Sequence, residues 1–114
     1  MRLELQLPPS INASHITRSN SYKRIMTNEA RDWMEYATLV VKSKWKKPPI
    51  DSFFDINLHF YLKNKQSDSH NYKKLLFDAL EHGGVCTNDK YILDRTMNVF
   101  YDKENPRVEM EING

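Results

Sequence analysis

The residues best equipped for chemistry bracket one short stretch of the chain. Asp68, His70 and Asn71 open it, and Asn71, Lys74 and Asp78 follow at i, i+3 and i+7, one stripe of a helix. Asn88 and Asp89 lie just past the Gly83-Gly84 turn. Carboxylates converging from two segments can hold Mg²⁺ or Mn²⁺ through oxygen. A lysine one turn along can stabilise charge on a phosphate. That is the equipment of metal-assisted phosphodiester hydrolysis, in which ions ~3.5–4 Å apart clamp the attacking and leaving oxygens. It requires the glycines to fold the chain back so that Asp89 approaches the stripe. The same residues also have plain structural uses. Ser67 or Asp68 can cap a helix, Lys74 and Asp78 can form a solvated i, i+4 pair, and Asp89 can shape a turn. No glycine-rich phosphate loop, His-Glu-x-x-His pair or nucleophile elbow offers a competing chemistry.

The elements that must position these residues follow from periodicity. Leu3, Leu5 and Leu7 alternate with Glu4 and Gln6 as a strand, which Pro8-Pro9-Ser10 stops. Residues 8–26, rich in Ser, Asn, Thr and Arg, read as one long loop. Thr27 is placed as the N-cap of a helix whose Ala30, Trp33, Met34, Ala37 and Val41 recur at helical spacing. Lys42 to Lys47 closes it, either as cations at a helix C-terminus or as a phosphate-contacting patch with Trp45 free to stack. Phe53 to Leu62 alternates as a second strand, with His59 on its polar face, and Lys63 to Ser67 is a basic loop. A second helix runs from near Asp68 to about His82, with Tyr72, Leu75, Leu76, Ala79 and Leu80 as its apolar face. Tyr91, Leu93 and Val99 to Tyr101 suggest a third strand. Asp102 to Pro106 reads as a hairpin loop before a last strand of Val108, Met110 and Ile112. The order β-α-β-α-β-β predicts an α+β fold, a two-layer sandwich with two helices on a mixed sheet.

The 114 residues make one domain. No apolar run approaches the ~20 residues of a membrane span, and the polar–apolar alternation at the start is unlike a signal peptide. A cytosolic protein is expected. The single cysteine, Cys86, excludes an intrachain disulfide and a cysteine zinc cluster, and reads as a half-buried small hydrophobe. A net charge of +2 hides an asymmetry: residues 1–50 carry nine basic and four acidic side chains, residues 51–114 eight basic and eleven acidic. A basic half beside an acidic half suits a polyanion partner near a carboxylate-bearing site.

Asp68-Ser-His-Asn-Tyr-Lys-Lys-Leu-Leu-Phe-Asp-Ala-Leu80, followed by the glycine turn and Asn88-Asp89, resembles the signature of the RusA family of Holliday-junction resolvases. That family carries Asp-x-Asp-Asn-x-x-Lys, then Asp-Ala-Leu, a glycine turn and an Asp-Asp pair at matching intervals. Leu7-Pro-Pro-Ser-Ile-Asn12 is similar to the family's N-terminal Pro-Pro-Ser-x-Asn. Lys63 and Lys65 sit where the family has a basic run. The resemblance implies a homodimeric endonuclease, using Mg²⁺ or alternatively Mn²⁺, that nicks four-way junction DNA symmetrically. Many members are encoded by phages or prophages. It implies Asp68 and Asp89 as catalytic metal ligands, Lys74 as the catalytic lysine and Asn71 as the motif's Asn. Asn12, Arg18, Lys23, Arg24, Lys63, Lys65 and Asn71 become the expected DNA contacts. Two positions depart from the pattern. His70 stands in place of the second catalytic Asp, and Asn88 in place of the first Asp of the pair. His70 is therefore expected as a metal ligand or base in a variant site, with Asp78 the alternative carboxylate. Imidazole suits Mn²⁺ better than Mg²⁺. Two other functions compete: a catalytically impaired junction-binding protein, and an interaction protein using Tyr22, Tyr36 and Trp45.

Overall fold

Period-2 and helical patterns sort the chain into a sheet layer and a helix layer. The computed structural model describes residues 1–10, 15–17 and 24–114. Its elements run β1 (Arg2–Gln6), β2 (His15–Thr17), β3 (Arg24–Met26), α1 (Asn28–Lys44), β4 (Phe54–Leu62), α2 (Lys73–His82), β5 (Ile92–Tyr101) and β6 (Arg107–Asn113). Four strands form one mixed sheet in the order β1-β6-β4-β5. β6 is antiparallel to β1 and β4, whereas β5 runs parallel to β4. A parallel pair needs a crossover, and α2 supplies it. The expected two-layer α+β sandwich is what the chain adopts.

Alternation decides which sheet face is covered. Leu3, Leu5, Phe54, Ile56, Leu58, Phe60, Leu62, Val108, Met110 and Ile112 are buried on one face. Against them pack Ala30, Trp33, Ala37 and Val41 of α1 and Leu75, Leu76, Ala79 and Leu80 of α2. The opposite face is polar. There Arg107 bonds Glu4 at 3.0 Å and Asp102 at 2.9 Å, and lies 3.7 Å from the centre of the Tyr61 ring. His59 Nε2 is 2.9 Å from Glu111, and the Asn98 amide is 2.8 Å from His59 Nδ1.

The helix ends obey local chemistry. Thr27 is extended, and its Oγ1 accepts the Ala30 N–H at 3.2 Å. α2 stops at the glycines. Gly83 N–H reaches the Ala79 carbonyl at 2.8 Å, and Gly84 takes φ +91°, which costs a side-chain-bearing residue strain. A Cβ on Gly83 would collide with Val41, so this glycine also lets the two helices approach.

Two expectations are corrected. Residues 8–26 are not all loop, because β2 and β3 pair antiparallel within them. Each is only three residues long, too short for period-2 alternation to show. Asp102 to Pro106 is not a hairpin loop, since β4 lies between β5 and β6. The crossover returns β5 in the direction of β4, so the antiparallel β6 takes the other side of β4. The connection passes the end of β4, where Asp102 N–H bonds the Leu62 carbonyl at 2.8 Å.

Candidate active site at the two ends of the second helix

The first half of the site follows β4. The loop after Leu62 exposes Lys63 and Lys65 and leads to Asp68. Asp68 is extended, and its Oδ1 accepts the His70 N–H at 3.0 Å. Its carbonyl accepts the Asn71 N–H at 3.0 Å. These bonds start a 3-10 turn, Ser69–Tyr72, that runs straight into α2. Asp68 and His70 are exposed and Asn71 is half-buried. Lys74 is exposed and pairs with Asp78 at 3.5 Å, a solvated contact of small energetic weight. Its neighbour Lys73 does more for the fold. It bonds Asp94 of β5 at 2.8 Å in a half-buried setting, tying the first turn of α2 to the sheet. No local pattern announces that pair, because its partners sit in different elements.

The second half follows the glycine turn. Ile50 N–H bonds the Val85 carbonyl at 2.8 Å, and Thr87 N–H bonds the Ile50 carbonyl at 3.0 Å, so the chain is clamped beside α2. Asn88 caps a second 3-10 turn, Asp89–Tyr91, by accepting the Lys90 N–H at 2.9 Å. Asp89 is half-buried, and its N–H donates to Glu81 Oε1 at 2.8 Å. Glu81 is the carboxylate that sequence reasoning missed. The signal was present: it stands on the last turn of α2, just before the glycines that reverse the chain. Burial, and then the negative charges of Glu81 and Asp89, push the Cys86 thiol up to about 11. Cys86 is fully buried rather than half-buried.

The turn therefore returns Asp89 to Glu81, not to Asn71 and Lys74 at the other end. From Lys73 to Glu81 the helix rises about 12 Å, and Asp68 precedes Lys73 by a further turn. Oxygen ligands of one Mg²⁺ lie within about 4 Å of one another. Among the described residues, no three of His, Cys, Asp and Glu are grouped to hold a metal ion. A single chain does not fit the ion: Asp68 and His70 stand at one end of α2 and Asp89 at the other.

The remaining expected contacts distribute as follows. Arg24 falls in β3, while Asn12, Arg18, Lys23 and Tyr22 lie outside the described residues. Trp45 is 6% exposed, so it is not free to stack on a base or a partner. Its backbone N–H closes α1 on the Val41 carbonyl at 2.8 Å, which turns the ring into the core. Tyr36 is half-buried, with its hydroxyl engaged by Gln6. No helix among the described residues is long and apolar enough to cross a membrane.

No curated relative matches the chain. The family model for Endodeoxyribonuclease RusA matches residues 7–113. That span takes in Pro8-Pro9-Ser10, the turn and helix that carry Asp68 to Lys74, and the Asp89 turn. It runs through nearly the whole fold, and the chain belongs to the RusA family of endodeoxyribonucleases.

Proposed function

We propose that this endonuclease resolves Holliday junctions as a homodimer that requires a divalent ion, Mg²⁺ or Mn²⁺. The observation that carries the reading is the division of the carboxylates. Asp68, with exposed Lys63 and Lys65 before it, stands at one end of α2, and Asp89, with Glu81 beside it, at the other. Each chain thus offers two half-sites. A second copy turned end for end would set Asp68 and His70 of one chain against Asp89 of the other. Two-fold symmetry then gives two equivalent sites, one for each symmetric nick. Lys74, exposed one turn from Asp68, is the group for charge on the phosphate. Asn71, Lys63 and Lys65, with Asn12, Arg18, Lys23 and Arg24, serve as contacts to the junction, making binding strongly salt-dependent.

The test is nicking of a synthetic four-way junction with Mg²⁺ and Mn²⁺ side by side. Asp68→Asn and Asp89→Asn are each expected to abolish nicking and keep the binding shift. Mixed together, the two inactive variants should recover single nicks, because one of the two sites in a mixed dimer keeps both carboxylates. Full nicking by Asp68→Asn removes the metal-site assignment, and failure to recover on mixing removes the shared site. If His70 is a ligand, His70→Asp shifts metal preference from Mn²⁺ toward Mg²⁺. A second reading, junction binding without cleavage, is favoured by His70 and Asn88 standing where the family's pattern has aspartates. Binding without nicks in either metal would establish it.

A further inference from the structure

We infer that the outer edge of β5 is the surface on which a second copy of this chain docks. The inference rests on the two-copy reading above and names the face that serves it. Eight large apolar side chains are exposed among the described residues, and five of them, Leu93, Met97, Val99, Phe100 and Tyr101, belong to β5. β5 hydrogen-bonds only to β4, and its outer N–H and C=O groups have no partner among the described residues. An edge of this length that is both apolar and open is a template for another strand.

The helix layer also stops short of it. Val99 and Tyr101 lie in register with the buried Phe60 and Leu62, on the helix-covered face. They nevertheless remain 41% and 51% exposed. The cause is that α2 begins at Lys73, which is held to Asp94 near the start of β5. Phe100 lies in register with Tyr61 on the opposite face, so the far half of this edge is apolar on both sides.

A second copy fits better than a foreign strand for two reasons. The first is charge. Thr96 to Tyr101 holds no ionisable acid or base other than the tyrosine, and mixed pairs flank it, Asp94-Arg95 before and Asp102-Lys103 after. Antiparallel self-pairing lays a mixed pair against a mixed pair, so like charges are not forced together. The second is the divided site. Pairing β5 with β5 antiparallel about a two-fold is isologous and turns the copy end for end. The two α2 helices then run antiparallel on the same sheet face, with the Asp68 end of one toward the Asp89 end of the other. The irregularity at Met97 bends the edge, so the pairing need not run its whole length.

The test measures mass in solution and junction nicking for the full chain. It compares the parent, the double variant Val99→Lys with Phe100→Lys, and Leu39→Lys, which charges an exposed apolar residue of α1. The expected result is a dimeric parent, a folded but monomeric double variant without nicking, and a dimeric, active Leu39→Lys. A spin label at Thr96→Cys or Arg2→Cys gives a second measurement that leaves the apolar residues in place, because buried Cys86 stays unlabelled. Paired β5 strands put the Thr96 labels close together. The Arg2 labels, seven strand spacings apart across the joined sheet, fall at about 34 Å. A dimeric double variant, or Arg2 labels closer than Thr96 labels, overturns the β5 interface and leaves the two-copy reading standing. A parent that is monomeric while nicking overturns both.

Discussion

At one margin of the sheet, β1 is five residues long and points Arg2, Glu4 and Gln6 to the solvent side of the pleat. Gln6 turns its backbone outward, and α1 takes it: the N–H donates to Tyr36 Oη at 3.1 Å, and the carbonyl accepts the Trp33 indole N–H at 2.9 Å. At the other margin, β5 runs ten residues, carries apolar side chains outward, and has only the Lys73–Asp94 contact from the helix layer. Short length, polar side chains and side-chain capping are the usual means of closing an edge. β1 has all three and β5 has none of them. The difference separates the work of the two margins. β1 secures the fold of one chain, and β5 is left to a second chain.

That comparison can be broken or sharpened by substitution. The largest effect is expected from Trp33→Ala, which removes a buried ring and the cap on the Gln6 carbonyl together. It should lower unfolding free energy by ~3–5 kcal/mol in chemical denaturation. Tyr36→Phe removes only the hydroxyl and leaves the ring in place. A loss of ~0.5–1.5 kcal/mol is expected for one hydrogen bond, and no loss would show that β1 does not depend on its cap. On β5, Met97→Ser alters a side chain that is 53% exposed. Measured on dilute monomer, it should stay within about 0.5 kcal/mol of the parent. A larger cost would mean that β5 contributes to the single-chain core.

The smallest effect concerns the connection leaving β5. A hydrogen bond from Arg107, supported by the Asn105 N–H, holds the Asp102 carboxyl below its usual range. A carboxyl whose folded pKa is depressed contributes stability above its unfolded pKa and loses it as pH falls through the folded value. Asp102→Asn should therefore flatten the acid limb of stability against pH while leaving neutral-pH stability nearly unchanged. An unchanged acid limb would show that the fully exposed pair is screened out.

Local chemistry was legible in the sequence. The Thr27 cap, the stripe of α1, the alternation of β4 and β6 and the glycine stop of α2 each depend on residues within a turn or a pleat of one another. What was not legible depends on partners far apart in the chain. Glu81 beside Asp89, Lys73 on Asp94 and the insertion of β4 between β5 and β6 all follow from how the crossover returns. Trp45 was misread for a related reason. A tryptophan among lysines looks exposed in sequence, but helix geometry turns it inward after Val41. The identities of the candidate residues were readable, whereas their separation by the length of α2 needed the fold.

The pairing of β1 with β6 also has a consequence in time. The Met1 amino group bonds the Ile112 carbonyl at 3.0 Å, across 111 positions of the chain. During synthesis at about 5–20 residues per second, β1 waits on the order of ten seconds for its only strand partner. Throughout that interval it is a free strand, and its brevity and its Arg2, Glu4 and Gln6 keep a nascent chain from being seized by its neighbours. Chains arrested before Arg107 should accordingly leave the β1 amides open to hydrogen exchange, and those amides should close only once β6 has emerged.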